Sequence, residues 1–222
     1  MNIQLAEIPV KLRKSPLAKR VSIRIRQGNV TLVVPKRASM SRAVKFLNSK
    51  EEWVRTTLQK QPQKIALSIG SEIPVLGTLH KVEYAGMCGK SGVVDGKIII
   101  CGDEKLAAKK IKKVLSEFVK AEITEAANQK SAQINKKFSK ISIRETSSRW
   151  GSCARSGNLS FSWRIVFAPR EVMEYLVSHE VAHLAEMNHS KRFWAVVESL
   201  CPRYKILRAW LAKNGSKLHL YS

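Results

Sequence analysis

Aspartate is nearly absent from this chain. Of 17 acidic side chains only Asp95 and Asp103 are Asp, and they face 40 Lys+Arg, a net charge of +23 over 222 residues. So few acids cannot neutralise the bases in ion pairs. The surface attracts polyanions: nucleic acid, an anionic membrane or a phosphorylated substrate. The plainer alternative is a soluble basic protein with no such partner. Long apolar runs are also missing. None approaches 18 residues, which excludes a helical membrane span. The first twelve residues lack a basic stretch followed by an apolar one, so no signal peptide is expected. Cysteine is sparse. Cys88, Cys101, Cys153 and Cys201 form no C-x-x-C pair, against a disulfide framework or a zinc knuckle. They read as the reduced thiols of a cytoplasmic protein. No aromatic residue alternates with Arg24 and Arg26, which argues against a base-stacking platform.

Histidine is scarce too, but unevenly placed. Of 5 His, three fall within residues 178–194, SHEVAHLAEMNHSKRFW. His179, Glu180 and His183 spell H-E-x-x-H, and His189 follows. Residues four apart share a helix face, so His179 and His183 can aim two imidazoles at one ion. Zinc suits that arrangement, with N ligands at ~2.0–2.1 Å in a tetrahedral site. Glu180 lies roughly 100° around the helix, placed to reach a metal-bound water as general base rather than as a ligand. His189 is expected as third ligand, with Glu186 and Glu198 as alternatives. To bring His189 back, the helix must end or bend near Asn188, which tolerates a left-handed backbone.

The rest of the chain frames this helix in an α+β architecture. Residues 1–103 read as a basic β-rich region with one helix. Residues 1–60 alone hold 14 Lys+Arg against 3 Glu. Residues 20–27 and 30–34 alternate apolar and polar, a hairpin turning at Gly28-Asn29. A helix is expected from Ser39 or Ser41 to just before Pro62. Strands near 73–76, 80–84 and 97–101, divided by glycines, suggest a small antiparallel sheet. His80 is isolated there and reads as structural. Residues 104–222 read as the catalytic half. A long helix spans 104–138. A hairpin follows, with strands at 141–146 and 159–163. The active-site helix starts after Pro169, with Glu171 in its first turn. Ser190 caps a final helix pair, which Pro202 divides and Gly215 closes.

The run SRWGSCARSGNLSFSWRIVFAPREVMEYLVSHEVAHLAEMNHSKRFW, residues 148–194, resembles the YgjP-like family of zinc metallopeptidases, related to the SprT-like and WLM zincins. The resemblance implies a minimal zincin fold: a short twisted sheet, the H-E-x-x-H helix and a helical C-terminus. It implies one zinc ion on His179, His183 and His189, with Glu180 as catalytic base. Arg149, Trp150, Gly151 and Ser152 match the R-W-G-S signature, which either lines the cleft, with Arg149, Trp150 and Ser152 touching substrate, or packs the core. Arg149, Tyr204 and His219 are chemically able to hold an oxyanion.

The expected function is a zinc-dependent metallopeptidase in which Glu180 activates the zinc-bound water to cleave a peptide bond. The related families suggest proteins bound to DNA as substrates. A nucleotide (UTP-type) pyrophosphohydrolase could use the same metal site, and the Lys/Arg surplus suits a triphosphate equally. A nucleic-acid-binding module with a structural zinc is the non-enzymatic alternative, although such a site has no need of Glu180.

Overall fold

The computed structural model describes residues 2–26, 28–59 and 64–222, which form two compact units, 1–63 and 64–222. In the first, alternating apolar residues build four strands: β1 (Asn2–Leu5), β2 (Ile8–Ser15), β3 (Ser22–Arg26) and β4 (Asn29–Pro35). Their order is β1-β2-β4-β3. β2 and β4 run parallel, and each pairs antiparallel with its outer neighbour. The expected hairpin is β3–β4, with Arg26 opposite Asn29. Leu5, Val10, Val30, Leu32 and Val34 pack on Ala43 and Leu47 of α1 (Met40–Asn48) and Val54 of α2 (Glu51–Gln59).

The single helix expected after Ser39 is therefore two. Ser39 does cap the first. Ser49 ends it, its hydroxyl donating to the Phe46 carbonyl at 2.9 Å in competition with the helical pattern. Glu51 and Glu52 then favour a fresh N-terminus. Pro62 lies outside the described residues.

The second unit opens with β5 (Glu72–Val75), β6 (Thr78–Tyr84), β7 (Gly92–Val94) and β8 (Lys97–Ile100), in the order β5-β6-β8-β7. β6 and β8 are parallel, so this sheet is mixed rather than antiparallel. Ile73, Val75, Val82, Ile98 and Ile100 share one core with Ile111, Leu115 and Val119 of α3 (Ala107–Gln133). That shared core puts the division at 63/64, not at 103/104 as the sequence suggests: the second sheet has no interior of its own. α3 is also shorter than expected, preceded by a 3-10 turn at Glu104–Leu106 that the Asp103 carboxylate caps.

A three-stranded sheet follows: β9 (Lys140–Arg144), β10 (Gly151–Cys153) and β11 (Asn158–Ser162), in the order β10-β11-β9. The hairpin here is β10–β11, whereas β9 runs parallel to β11. Leu159 and Phe161 face the core, and Trp163 sits in a following 3-10 segment rather than on the strand. Three helices complete the unit: α4 (Arg170–Ala182), α5 (Lys191–Leu200) and α6 (Tyr204–Leu218). Among the described residues no helix is long and apolar enough to cross a membrane.

Candidate metal centre

α4 carries the H-E-x-x-H residues. Pro169 precedes its first turn and Glu171 lies within it. Val172, Leu176 and Val177 are buried in the core, anchoring the helix against α3 and α6. His179 sits in its last turn, and His183 is its C-cap.

The helix thus ends at Ala182, well before the bend expected near Asn188. The Leu184 and Ala185 N–H groups bond back to Val181 and Ala182 carbonyls at 2.9 and 3.0 Å, tightening the last turn. Asn188 does not supply a left-handed residue: it is absent from the positive-φ residues. Instead its side-chain oxygen accepts from the Ser190 N–H at 3.1 Å. This Asx turn redirects the chain through His189 into α5. Ser190 then caps α5 as expected, accepting from the Phe193 N–H at 3.3 Å.

The result brings His179, His183 and His189 together, with one ligand atom from each lying within 4.8 Å of the others. His179 Nε2 and His189 Nε2 are 3.2 Å apart. Tetrahedral zinc with N ligands at ~2.0–2.1 Å has ligand–ligand edges of about 3.3 Å, so this pair already stands at the required spacing. His183 Nδ1 lies 3.0 Å from the Glu186 carbonyl. A proton held there leaves Nε2 as the free lone pair, the usual second-layer device for a histidine ligand. Neither the Glu186 nor the Glu198 carboxylate joins the cluster; Glu186 contributes its backbone instead.

Aromatic rings pack against the three imidazoles, of which His189 stays exposed. Phe193 stacks on His183 at 4.4 Å and stands 5.0 Å from His179, while Trp194 is 5.9 Å from His189. In this apolar setting, burial and the neighbouring imidazoles push His179 down to about 4. Burial also lowers His183. Neutral imidazoles are the form that binds a metal. His179 Nδ1 is buried without a hydrogen-bond partner. The donor set, its spacing and its protonation fit a single zinc-type ion.

Glu180 is only 4% exposed. Burial pushes its carboxyl up to about 8, opposed by the Arg149 charge. Gly151 explains how the carboxylate fits. A Cβ there would lie 2.5 Å from Glu180 Oε1, so any side chain at that position would displace the carboxylate. Cys153, two residues on and on the same strand face, feels the Glu180 charge and rises to about 11, chiefly by burial.

The R-W-G-S stretch therefore divides. Arg149 acts electrostatically on Glu180 and Gly151 makes room for it. Trp150 packs over α6: a Cβ on Gly215 would fall 3.0 Å from its Nε1, and its ring lies 4.8 Å from His219. Gly215 is thus a close-approach position inside α6, not the end of it. Ser152 alternates with Gly151 and Cys153, sits opposite Ser160, and lines a cavity together with Arg149 and Trp150.

Of the other candidates, Tyr204 is buried and stacked on Trp194, while His219 lines a cavity with Trp150. His80 stays apart, its Nδ1 3.0 Å from the Thr78 carbonyl. Arg208 was not singled out by any sequence pattern. Its guanidinium lies 4.6 Å from the Trp194 ring, and its charge bears on His179.

Among solved structures, the crystal structure of the metallopeptidase zymogen of Pyrococcus abyssi abylysin is similar to this chain, at 21% identity and a TM-score of 0.38, covering 41% of this chain and 93% of that one. No curated protein matches. The YgjP-like metallopeptidase domain matches residues 19–214, which reach into both compact units and include every residue of the histidine cluster, and the chain belongs to that family.

Proposed function

We propose that this metal-dependent hydrolase is a zinc metallopeptidase of minimal zincin type, with His179, His183 and His189 as ligands and Glu180 as the proton acceptor. The observation that carries the reading is the convergence of three imidazoles, ligand atoms within 4.8 Å, with the buried Glu180 next to His179 on α4. Zinc held there would supply the Lewis acid that polarises a peptide carbonyl and acidifies the attacking water.

The chain's own residues supply the rest. In the metal-free chain burial raises the proton affinity of Glu180 above that of an exposed carboxylate, so a proton once taken up is held there. Phe193 packs against His179, His183 and His189 and shields one side of the cluster. β10 is an edge strand, and its first residue lies against Glu180. An extended peptide adding to that edge would lie beside the carboxylate. The family is one of peptidases, which favours a peptide over the nucleotide or nucleic acid that charge alone admits. Free thiols throughout fit a reducing compartment, and we place the enzyme in the cytoplasm.

The test is a paired assay of the zinc-loaded protein on unstructured peptides and on nucleoside triphosphates, with Glu180→Gln alongside. Peptide cleavage that Glu180→Gln abolishes while keeping its zinc is the expected result. Triphosphate turnover without peptide cleavage would overturn the reading, and so would undiminished activity of Glu180→Gln.

A further inference from the structure

Between α4, α6 and the loop that leads into β10 lies a cavity of about 460 Å³. Trp150, Tyr175, Leu211 and Gly215 form its apolar walls, and Arg208 and His219 are its ionisable basic groups. No acidic side chain lines it.

The cavity adjoins the metal centre. Tyr175 is one helical turn before His179, with ring centroids 6.2 Å apart. Arg208 rests on Trp194, whose ring is 5.8 Å from His179 and 5.9 Å from His189. Gly215 lets α6 approach the Trp150 ring, which closes the opposite wall. A group in this cavity would therefore belong to the residue at, or next to, the bond being cleaved.

Arg208 also differs from the arginines that hold the unit together. Arg164 and Arg170 each pair with a glutamate, Glu145 and Glu122. Arg208 forms no ion pair among the described residues. Stacking on Trp194 holds the guanidinium in place while leaving its N–H edge to donate. A cation so fixed, in an aromatic cavity without a counter-charge, is built for an anionic guest. The surplus positive charge of the whole chain would draw such a guest in.

We propose that this cavity is a substrate subsite for a carboxylate-bearing residue beside the cleaved bond, with Arg208 binding the carboxylate. The carboxylate is either an acidic side chain or the free C-terminus of the substrate. This rests on the peptidase reading above, and it assigns that site a substrate class.

The experiment uses the zinc-loaded full chain and matched peptides. In one arm Glu replaces Gln at each position in turn, which changes charge with almost no change of shape. In the other arm the C-terminal acid is exchanged for the amide. A charge-assisted pair of this kind should favour the acid by about 10- to 100-fold in kcat/KM. The arm that shows the preference identifies the source. Arg208→Gln should bring the acid-to-neutral ratio close to one, and Arg208→Lys should retain part of it. Cleavage with no charge preference, or a preference that survives Arg208→Gln, would overturn the proposal.

A binding measurement separates it from the peptidase reading. N-acetyl-glutamate amide and N-acetyl-glutamine amide are titrated into the zinc-loaded protein, with quenching of Trp150 and Trp194 as the signal. Tighter binding of the glutamate probe, lost in Arg208→Gln, supports the subsite even if no peptide is turned over. Equal binding of the two, or none at millimolar concentration, overturns it whatever the peptidase assay shows.

Discussion

The two four-stranded sheets are built to one plan. Each is two hairpins whose inner strands run parallel, in the order β1-β2-β4-β3 in the first unit and β5-β6-β8-β7 in the second. The first hairpin of each turns through two residues, and the leading one has positive φ, 49° at Ala6 and 47° at Leu76. What differs is the cover. The first sheet closes on two nine-residue helices and keeps its own core. The second is covered by the 27-residue α3, which goes on to support the β9–β11 sheet and α4. One strand plan thus serves as a self-contained unit in one place and as one part of a larger shared core in the other. The chemistry lies in what was added after α3.

Four expectations break or sharpen that contrast. The largest effects concern the core. Ile98→Ala and Leu32→Ala both empty fully buried positions on inner strands. Each should lower unfolding stability by about 2–5 kcal/mol, measured by urea titration. Only Ile98→Ala should also weaken zinc retention, because its core is shared with the α4 support. Equal zinc loss from both variants would erase the distinction between the sheets.

Next comes Gly151→Ala. The added methyl overlaps Glu180 Oε1, so the carboxylate must move. A displacement of about 1 Å at a reacting group lowers turnover roughly 100-fold, and zinc content should be unchanged because the ligands are untouched. Metal analysis beside kcat/KM decides it, and wild-type turnover would remove Gly151 from the site.

The pH dependence is smaller and has two signs. In the metal-free protein His179 is pushed down to about 4 from 6.5, so between these values the unfolded chain takes up a proton that the folded one refuses. Stability falls as pH drops through that window and levels off below it. Glu180 acts oppositely. Its folded value of about 8 lies above the ordinary 4.5, so the folded chain keeps a proton the unfolded one releases, and stability falls as pH rises from 4.5 through 8. Metal-free Glu180→Gln should therefore melt higher than wild type at pH 9 and lose that advantage near pH 5. A pH-independent difference would contradict a buried, titrating Glu180. Smallest is Gly215→Ala, which presses on the Trp150 ring and should change kcat/KM several-fold without altering zinc content.

Much of the metal centre was legible because its information is local. H-E-x-x-H specifies a helix face by itself, and His189 with the Ser190 cap lies only a few residues on. The α+β class, the helix after Pro169 and the β3–β4 hairpin followed from period and turn chemistry. Pairing across long separations did not. β9 and β11 both alternate, but alternation carries no sign for parallel or antiparallel neighbours. β1 and β2 at the N-terminus went unread, since Pro9 and the charged residues after it blur the pattern. The return of His189 depended on an Asx turn at Asn188, where a left-handed residue was the natural guess. Arg208 had no sequence signal at all: its place beside the centre comes from α6 crossing back over α4.

The central claim is that three imidazoles hold one ion beside Glu180. X-ray absorption at the zinc edge of the metal-loaded protein tests it most directly. The expected spectrum has three imidazole nitrogens and one further light atom at ~2.0–2.1 Å. Sulfur at ~2.3 Å, or fewer than three imidazoles, would contradict the account.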